Sequence, residues 1–451
     1  MTLVHTDVYL QIVHDVSMNM RDPEAVKAIA DDLENVNSSP FFPLAGTTWS
    51  DLSLTNGYPS LLLLFSTLEK QGVIEDGDAI AHSYVLKIKE AIESEGLFHL
   101  SLFGGVSGIC FALNEASCQG TRYQKMLNSL HSFLLDRIDS LYLAPLKNNQ
   151  QKLIPTSPTL YDPVQGVCGI GRYALENLSL PPFFDAAENI AKALVALSRP
   201  LNYGGQSIPG WFLSPLDTLN ARNRETCPKG NFNLGLAHGV TGILAYLSIA
   251  FLRGIQVEGQ KEAIHTISEW IRSKAITHNG AILWPYYISW EEELEGATAV
   301  INGSKDAWCY GVPGVARTLF LAGKALDCES LKTFAADAYR GIFSRKQKDW
   351  HLPGPTLCHG ISGLLLITHE MSKESGCEDL VPRVDELGDT LLSMYQPQAP
   401  WGFKDVEIGR DGKACELNKP GFLEGTAGVI LALSSLSESR SNWHLPLLIH
   451  E

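Results

Sequence analysis

The segment Leu357–Gly363, which reads LCHGISG, places an adjacent cysteine and histidine directly before a Gly-x-x-Gly turn that opens an apolar stretch. The same turn follows Cys309 in Trp308–Gly314, which reads WCYGVPG. Two thiolates and one imidazole at related points of two repeats suffice to hold a zinc ion with one coordination position open. That arrangement is typical of catalytic zinc sites rather than structural ones. The sequence therefore predicts zinc ligands at Cys309, Cys358 and His359.

The Gly-x-x-Gly turn recurs along the chain, and most copies precede a nearly uninterrupted apolar stretch. A lone copy would carry little information, but seven copies in matching context indicate an internal repeat. Each apolar stretch is typical of a helix that is buried on most of its surface. Side-chain-free positions at i and i+3 allow loops and helix starts to approach closely. The copies begin at Gly57 (where Ser60 replaces the second glycine), Gly105, Gly166, Gly239, Gly311, Gly360 and Gly425.

More amphipathic helices are predicted between the turns, so that an inner, apolar helix alternates with an outer, half-polar one. Fourteen helices in two layers can close into an α/α toroid, and closure removes the exposed ends that open repeat arrays must cap. The predicted fold class is all-α, a toroid of about seven inner and seven outer helices. The outer helices are predicted near residues 22–35, 77–94, 122–141, 183–198, 259–276, 329–345 and 380–395.

Three segments interrupt the helical pattern. Connections 144–161 and 201–234 are longer than helix hairpins require, and 281–290 has a strand-like composition. They are candidates for substrate-contacting loops or a small β insertion, with plain surface connections as the alternative. We predict an N-terminal helical segment over residues 1–45 and the toroid over 46–451.

Composition argues against several classes of partner and location. The formal net charge of −15, without a cluster of Lys and Arg, argues against nucleic acid or an anionic membrane as the main partner. The N-terminus lacks a signal-peptide pattern, and the chain lacks an uncharged apolar run of about 18 residues. Nine cysteines without a secretion signal indicate reduced thiols and a cytoplasmic location.

From about residue 45 onward the chain resembles the lanthionine synthetase C-like (LanC-like) family. The resemblance rests on Gly235–Gly239 (GLAHG), Trp308–Gly311 (WCYG), Cys358–Gly360 (CHG) and the seven repeats. It implies an α/α toroid with one zinc ion in a central cavity. It also implies a stand-alone (class I) bacterial cyclase that adds peptide cysteine thiols to dehydroalanine or dehydrobutyrine in a lantibiotic precursor. The implied partners are a separate dehydratase and a peptide exporter at the inner face of the membrane.

The same resemblance implies roles for individual residues. The zinc ligands would be the three named above, His238 would be the acid/base residue, and Asp162 a carboxylate of the cavity. Tyr310 and Trp308 would line that cavity. Lys305 stands where a well-studied bacterial cyclase type has arginine, so a point charge replaces a planar fork.

The reaction has two chemical requirements. A thiol with an ordinary pKa near ~8.5 must become a thiolate, and an enolate must be protonated at its α-carbon. Coordination to zinc meets the first requirement. An imidazolium at His238, oriented by Asp162, would meet the second, and Lys305 would hold the enolate oxygen. The alternatives are a core histidine at 238, a helix-capping Asp162 and a packing role for Trp308 and Tyr310. Glu424 is a further inward-facing candidate.

Other functions fit parts of the same pattern. A LanC-like protein could add glutathione or another thiol to dehydroamino acids, which gives an adduct without a ring. A zinc-containing scaffold could bind peptides without turnover. An α/α-barrel glycosidase fits less well, because it needs two opposed catalytic carboxylates and leaves the Cys358–His359 pair unexplained.

Overall fold

The computed structural model describes residues 6–39, 48–218, 221–297, 301, 305–409, 411–437 and 442–451, and it consists mainly of α-helices. In chain order these helices are α1 (Thr6–Met18), α2 (Pro23–Ala30), α3 (Leu33–Asn37), α4 (Tyr58–Lys70), α5 (Gly77–Glu95), α6 (Val106–Ala116), α7 (Gln124–Ile138), α8 (Ala144–Lys152), α9 (Pro158–Tyr161), α10 (Val167–Leu175), α11 (Pro181–Leu197), α12 (Ala221–Thr226), α13 (Val240–Leu252), α14 (Gln260–Ser273), α15 (Trp290–Leu294), α16 (Val312–Leu326), α17 (Glu329–Arg340), α18 (Ile361–Glu374), α19 (Val381–Ser393) and α20 (Thr426–Ser434). Shorter turns of π-helix (Asp139–Leu143) and 3-10 helix complete the helical part; the 3-10 turns are Gly341–Ser344, Gln347–Trp350, Glu378–Leu380 and Leu445–Leu447.

The chain divides into two compact units. The first unit comprises the described residues of Met1–His131, Leu352–Ser372 and Glu378–Trp443. The second unit comprises those of Ser132–His351, Lys373–Cys377 and His444–Glu451.

Every predicted Gly-x-x-Gly turn starts a buried helix. Helices α4, α6, α18 and α20 do so in the first unit, and α10, α13 and α16 in the second; each begins directly after the first glycine of its turn. In α13, every residue from Val240 to Ala250 is buried. The predicted inner helices are therefore present, and they are apolar because they contact protein on all sides.

Close backbone approach explains the glycines of these turns. A Cβ atom at Gly105 would collide with the carbonyl oxygen of His99, and one at Gly108 with that of Leu102. The loop before α6 thus folds back over the start of its own helix. The first repeat tolerates Ser60 in place of the second glycine, where the buried hydroxyl donates to the carbonyl oxygen of Gly57 at 2.5 Å.

The outer helices correspond to α5, α7, α11, α14, α17 and α19, near the predicted positions. Their burial is one-sided, as in α14, where Ala263, Ile264, Ile267 and Ile271 are buried. The predicted N-terminal helix over 22–35 is instead two short helices, α2 and α3. The break occurs because the side chain of Asp32 accepts hydrogen bonds from two backbone N–H groups of α3 and so caps a second helix start.

Small antiparallel hairpins and pairs supply the β-structure. The strands are β1 (Leu201–Tyr203), β2 (Gln206–Ile208), β3 (Asn231–Asn233), β4 (Ile276–His278), β5 (Ala281–Leu283), β6 (Tyr287–Ser289), β7 (Asp405–Ile408) and β8 (Ala414–Leu417). They pair as β1 with β2, β3 with β6, β4 with β5 and β7 with β8. Strands β5 and β6 confirm the strand-like segment 281–290, whereas the β7–β8 hairpin of the first unit was not predicted.

The last residues of the chain anchor buried side chains of the second unit. Three alternate residues of this segment accept hydrogen bonds at their carbonyl oxygens. Leu445 accepts from Arg172 Nε at 3.0 Å, Leu447 from Trp308 Nε1 at 2.8 Å, and Ile449 from Arg317 Nε at 2.6 Å. Trp308 is fully buried, so its indole is a packing group beside Cys309 and does not line an open cavity.

Candidate functional site

In the second unit, a histidine and a buried aspartate form a close pair. His238 Nδ1 lies 2.6 Å from Asp162 Oδ2. The Asp162 side chain is fully buried, whereas 28% of the His238 side chain is exposed. A buried carboxylate on Nδ1 fixes the ring orientation and directs the other ring nitrogen, Nε2, away from it. The pair therefore has the geometry of an oriented acid/base histidine.

The backbone holds the aspartate at the start of α10. Asp162 Oδ1 accepts hydrogen bonds from the N–H groups of Gln165 at 2.6 Å and Gly166 at 3.1 Å. Asp162 thus caps this turn, as one sequence interpretation proposed, and it binds His238 with its other oxygen.

The environment of His238 favours its protonated form. Burial disfavours the charged imidazolium, but the hydrogen bond to Asp162, the negative charge of Asp162 and the nearby Cys309 outweigh burial and raise the pKa of His238 above its ordinary value of 6.5. A larger fraction of imidazolium is therefore present near neutral pH than in a solvated histidine.

Cys309 and Tyr310 lie beside the His238 loop in this unit. The backbone N–H of Ala237 donates to the carbonyl oxygen of Cys309 at 3.3 Å. Tyr310 Oη accepts a hydrogen bond from Asn233 Nδ2 at 3.0 Å, and its ring packs so closely on Gly235 that a Cβ atom there would overlap it. Asp162, His238, Cys309 and Tyr310, predicted from distant points of the sequence, thus belong to one neighbourhood.

Lys305 precedes the same loop, and its side chain is half-buried. Its carbonyl oxygen occupies the space that a Cβ atom on Gly311 would need, and Gly311 has a φ of +96°, a conformation that favours glycine. Sequence reasoning missed the next residue, Asp306, which is buried and lies 2.5 Å from Arg345 Nη2. Burial raises the pKa of Asp306 to about 6, although the charge of Arg345 opposes this shift.

In the first unit, the Cys358–His359 pair meets a glutamate. One ligand atom each from Cys358, His359 and Glu424 lies within 4.8 Å of the other two. Sulfur, imidazole nitrogen and carboxylate oxygen are the donor types that zinc binds in proteins. The donor set of these residues therefore fits the metal that the sequence predicts, and Cys309, the third predicted ligand, belongs to the second unit.

A buried network supports this donor group, and sequence reasoning missed it. His359 Nε2 lies 3.2 Å from Asp405 Oδ1, and Lys419 Nζ donates to Asp405 Oδ2 at 2.9 Å. Burial works against the charge on Asp405, yet the hydrogen bond with His359 and the charge of Lys419 hold the pKa of that carboxyl well below its usual range. Histidines that bind metals commonly have such a carboxylate on the other ring nitrogen. The only sequence signal was the acidic and basic content of the β7–β8 hairpin.

Lys419 also contacts two further carboxylates. Its Nζ lies 2.7 Å from Glu407 Oε1 and 3.3 Å from Glu424 Oε2. Burial lowers the pKa of Lys419, but Glu424, Asp405 and Glu407 together raise it above its ordinary value. Lys419 is therefore charged at neutral pH and connects Asp405 with Glu424.

Residues 48–448 match the family model described as lanthionine synthetase C-like protein. The chain belongs to this family. The chain is 23% identical over 410 residues to the nisin biosynthesis protein NisC of Lactococcus lactis subsp. lactis. This match covers 89% of this chain and 90% of that protein.

A solved structure titled nisin cyclase shares the fold of this LanC-like chain. It superposes with a TM-score of 0.72 at 23% sequence identity, covering 88% of this chain and 92% of the other. The match confirms the predicted fold class, an all-α α/α toroid of the LanC type. Within the part of the chain that the structure describes, none of the helices has the length and apolarity required to cross a bilayer.

Proposed function

We propose that this LanC-like chain is a zinc-dependent lanthionine and methyllanthionine cyclase acting on a dehydrated lantibiotic precursor peptide. The observation that carries the proposal is the Asp162–His238 pair beside Cys309, because it joins an oriented proton donor to a predicted zinc ligand. Relatives named for nisin biosynthesis and nisin cyclase support the substrate class. The catalytic domain would comprise residues 46–451, preceded by an N-terminal segment over 1–45.

We assign the metal to Cys309, Cys358 and His359. The support is the donor set around Cys358 and the carboxylate on His359, together with the matching repeat positions of the cysteines. When bound, zinc would lower the pKa of a coordinated peptide thiol so that its thiolate forms at neutral pH.

The remaining chemistry belongs to side chains. The sulfur of the peptide forms a bond to the β-carbon of the dehydro residue, the π pair moves to an enolate, and a proton must reach the α-carbon. His238 would deliver that proton, since its pKa is raised and Asp162 holds its Nδ1. Tyr310 would position the peptide beside His238, and Lys305 would attract the enolate oxygen.

We further propose a cytoplasmic location and, as partners, the leader-bearing precursor, a dehydratase and a peptide exporter through which the enzyme could approach the inner membrane face. The excess of acidic residues agrees with a partner other than nucleic acid.

The deciding experiment incubates the purified chain with a dehydrated precursor and counts the remaining cysteine thiols by alkylation and mass spectrometry. Ring closure leaves the peptide mass unchanged while the alkylation sites disappear. We expect His238→Ala to slow this loss by about 10²–10⁴-fold while keeping its metal. With glutathione present, an adduct heavier by one glutathione and lacking rings would instead indicate intermolecular thiol addition. An unaltered peptide would indicate a binding scaffold.

A further inference from the structure

A pocket of the second unit contains none of the residues assigned to the reaction. One wall is the end of α8 with the loop after it, within residues 147–156, and the other is the end of α11 with residues 199–201. Gly210 also lines it. The volume of this α8–α11 pocket is about 320 Å³, within the range of pockets that bind small ligands. The pocket is therefore a candidate binding site without an assigned ligand.

The walls of the pocket are fixed to each other. Gln150 Nε2 donates to the carbonyl oxygen of Ala193 at 2.9 Å, which joins α8 to α11. A Cβ atom at Gly210 would collide with the carbonyl oxygen of Leu197, so a glycine is needed for this close approach to the end of α11. The pocket is therefore formed by the fold itself, and a ligand can bind without a large rearrangement.

Two adjacent apolar side chains line the pocket and are open to solvent. Leu153 is 51% exposed and Ile154 is 44% exposed. Leu153 also has a left-handed backbone conformation, with a φ of +53°, which is uncommon for leucine and is adopted more readily by glycine or asparagine. An exposed apolar pair at a pocket provides a surface that an apolar side chain of a ligand can cover.

The charge around the pocket is opposite in sign to that of the whole chain. Segments 140–161 and 189–216 contain four Lys and Arg residues and no Asp or Glu, in a chain with a formal net charge of −15. One of the four, Lys192, pairs with Glu188 at 2.8 Å. The other three are exposed and form no ion pair with any residue that the structure describes: Lys147, Lys152 and Arg199. Acidic ligands are therefore attracted to this surface.

The pocket lies within reach of the catalytic pair for a peptide. Thr156 lines the pocket, and Asp162 follows it by six positions in the chain. Six residues span at most about 21 Å when fully extended. Helix α9 (Pro158–Tyr161) shortens this path, because a helix rises only about 1.5 Å per residue. A docked peptide therefore needs only about seven extended residues to cover the distance.

We propose that the α8–α11 pocket binds an extended segment of the precursor peptide that carries an apolar side chain beside acidic ones. This segment lies outside the ring-forming residues, and the inference rests on the proposed function. The apolar side chain packs on Leu153 and Ile154, and the carboxylates pair with Lys147 and Arg199. Such docking holds the reactive residues near His238 at a high effective concentration. It therefore lowers KM and leaves kcat unchanged.

The charge test uses the double variant Lys147→Gln/Arg199→Gln and the control Lys192→Gln. Lys192 is also exposed on α11, but it pairs with Glu188 and does not line the pocket. Rates of thiol loss from the dehydrated precursor give KM and kcat. We expect the double variant to raise KM by about 3- to 20-fold at low salt with kcat unchanged, and less at high salt. The control should match the wild type.

The apolar test compares Ile154→Ser with Leu180→Ser. Both side chains are 44% exposed, but only Ile154 lines the pocket. We expect Ile154→Ser to raise KM by about 5-fold, since the ligand loses apolar contact, and Leu180→Ser to have no effect. Circular dichroism checks the folding of each variant. A KM equal to that of the wild type in the double variant and in Ile154→Ser would overturn the proposal, and so would a fall in kcat alone.

Binding is also measured without turnover, by fluorescence anisotropy of the fluorescein-labelled precursor. We expect weaker binding by the double variant and by Ile154→Ser than by both controls. Wild-type peptide affinity combined with a loss of affinity for the dehydratase would assign the surface to that protein and overturn the peptide proposal. A wild type that binds the peptide but leaves its thiols unreacted would refute the cyclase function alone, because the anisotropy comparison does not require turnover.

Discussion

At the scale of single residues, the chemistry depends on how each histidine is held. His238 and His359 both have a buried aspartate on one ring nitrogen, Asp162 at 2.6 Å and Asp405 at 3.2 Å. Only the second aspartate is also paired with a buried lysine, Lys419. The first arrangement suits an imidazole that gains and loses a proton, and the second suits an imidazole held as a ligand.

The pair Asp162–His238 leads to a prediction about pH. Substituting Asp162→Asn removes the negative charge that raises the pKa of His238, so that pKa falls. Because the imidazolium is the acid, ring closure declines as pH rises through the pKa of His238, and in the variant this decline should begin at lower pH. We also expect the rate at neutral pH to fall on the order of 10²-fold, since the ring loses its orientation.

The measurement is the rate of thiol loss from the peptide across pH 5 to 9. The control is Asp327→Asn. Asp327 directly follows α16 and has a left-handed backbone conformation, with a φ of +52°, that asparagine adopts readily. An unshifted pH profile for Asp162→Asn would contradict the proton-donor role of His238.

At the scale of the elements, the helix starts are the decisive feature. The two adjacent glycines before α6 provide a matched pair. A Cβ atom at Gly105 would collide with the backbone of His99, whereas at Gly104 the nearest atom would be Ser101 Oγ at 3.5 Å, an ordinary contact.

We therefore expect Gly105→Ala to lower the free energy of unfolding by about 1–3 kcal/mol, because the loop must move away from the helix. Gly104→Ala should change it by less than about 1 kcal/mol. Urea denaturation followed by circular dichroism measures both values. Similar stabilities for the two variants would show that the turn does not require close approach.

A second element-scale prediction concerns a contact within the second unit, between α16 and Glu374, a residue of that unit. Arg317 Nη2 donates to Glu374 Oε1 at 2.8 Å, and Lys324 Nζ donates to Oε2 at 2.9 Å. Burial opposes ionisation, but Arg317 and Lys324 lower the pKa of Glu374 below its ordinary value of 4.5. A lowered folded-state pKa stabilises the protein above the unfolded pKa, and this stabilisation is lost as pH falls through the folded pKa.

Substituting Glu374→Gln should therefore reduce the free energy of unfolding by about 1–3 kcal/mol at pH 7, since the fully buried Arg317 loses its counter-charge. The difference from wild type should shrink as pH falls from 4.5 through the lowered folded-state pKa of Glu374, where the wild-type carboxyl also becomes neutral. Denaturation at pH 7 and pH 3.5 measures this difference in the free energy of unfolding. The control is Glu378→Gln, because Glu378 is exposed. A loss of stability in Glu374→Gln that is the same at both pH values would indicate an effect of packing rather than of charge.

At the scale of the whole molecule, the proposed zinc centre links metal binding to stability. We expect one zinc per chain in the wild type and its loss in Cys309→Ala and in Cys358→Ala, measured by metal analysis with mass spectrometry. Cys328→Ala is the control, because this cysteine is half-buried and hydrogen-bonds to Ser330 outside the donor group.

Zinc that binds only the folded chain should also raise its melting temperature, with about 4 kcal/mol of stabilisation at a free metal concentration of 1,000 times Kd. Chelation should reverse this gain in the wild type and have no effect in Cys358→Ala. A wild type purified without chelator and found free of metal would refute the zinc assignment.

The sequence by itself determined the seven helix starts and the Cys358–His359 pair. Both are local: a Gly-x-x-Gly turn acts through the few residues before its helix, and adjacent ligands need no folding to be neighbours. It also placed Asp162 and His238 among the candidate functional residues, through resemblance rather than geometry. Their contact is a property of the fold, because 76 positions separate them in the chain.

Only the tertiary structure decided which groups surround these residues. Asp405 reaches His359 from a strand that lies 46 positions later in the chain, and Lys419 pairs with that aspartate. Asp306 likewise meets Arg345 across 39 positions. The indole of Trp308 lies in the core, where its N–H donates a hydrogen bond to the carbonyl oxygen of Leu447, 139 positions later in the chain. Burial and charge pairing between residues so far apart in the chain depend on long-range packing. Composition and periodicity describe only local sequence, so they do not predict these contacts.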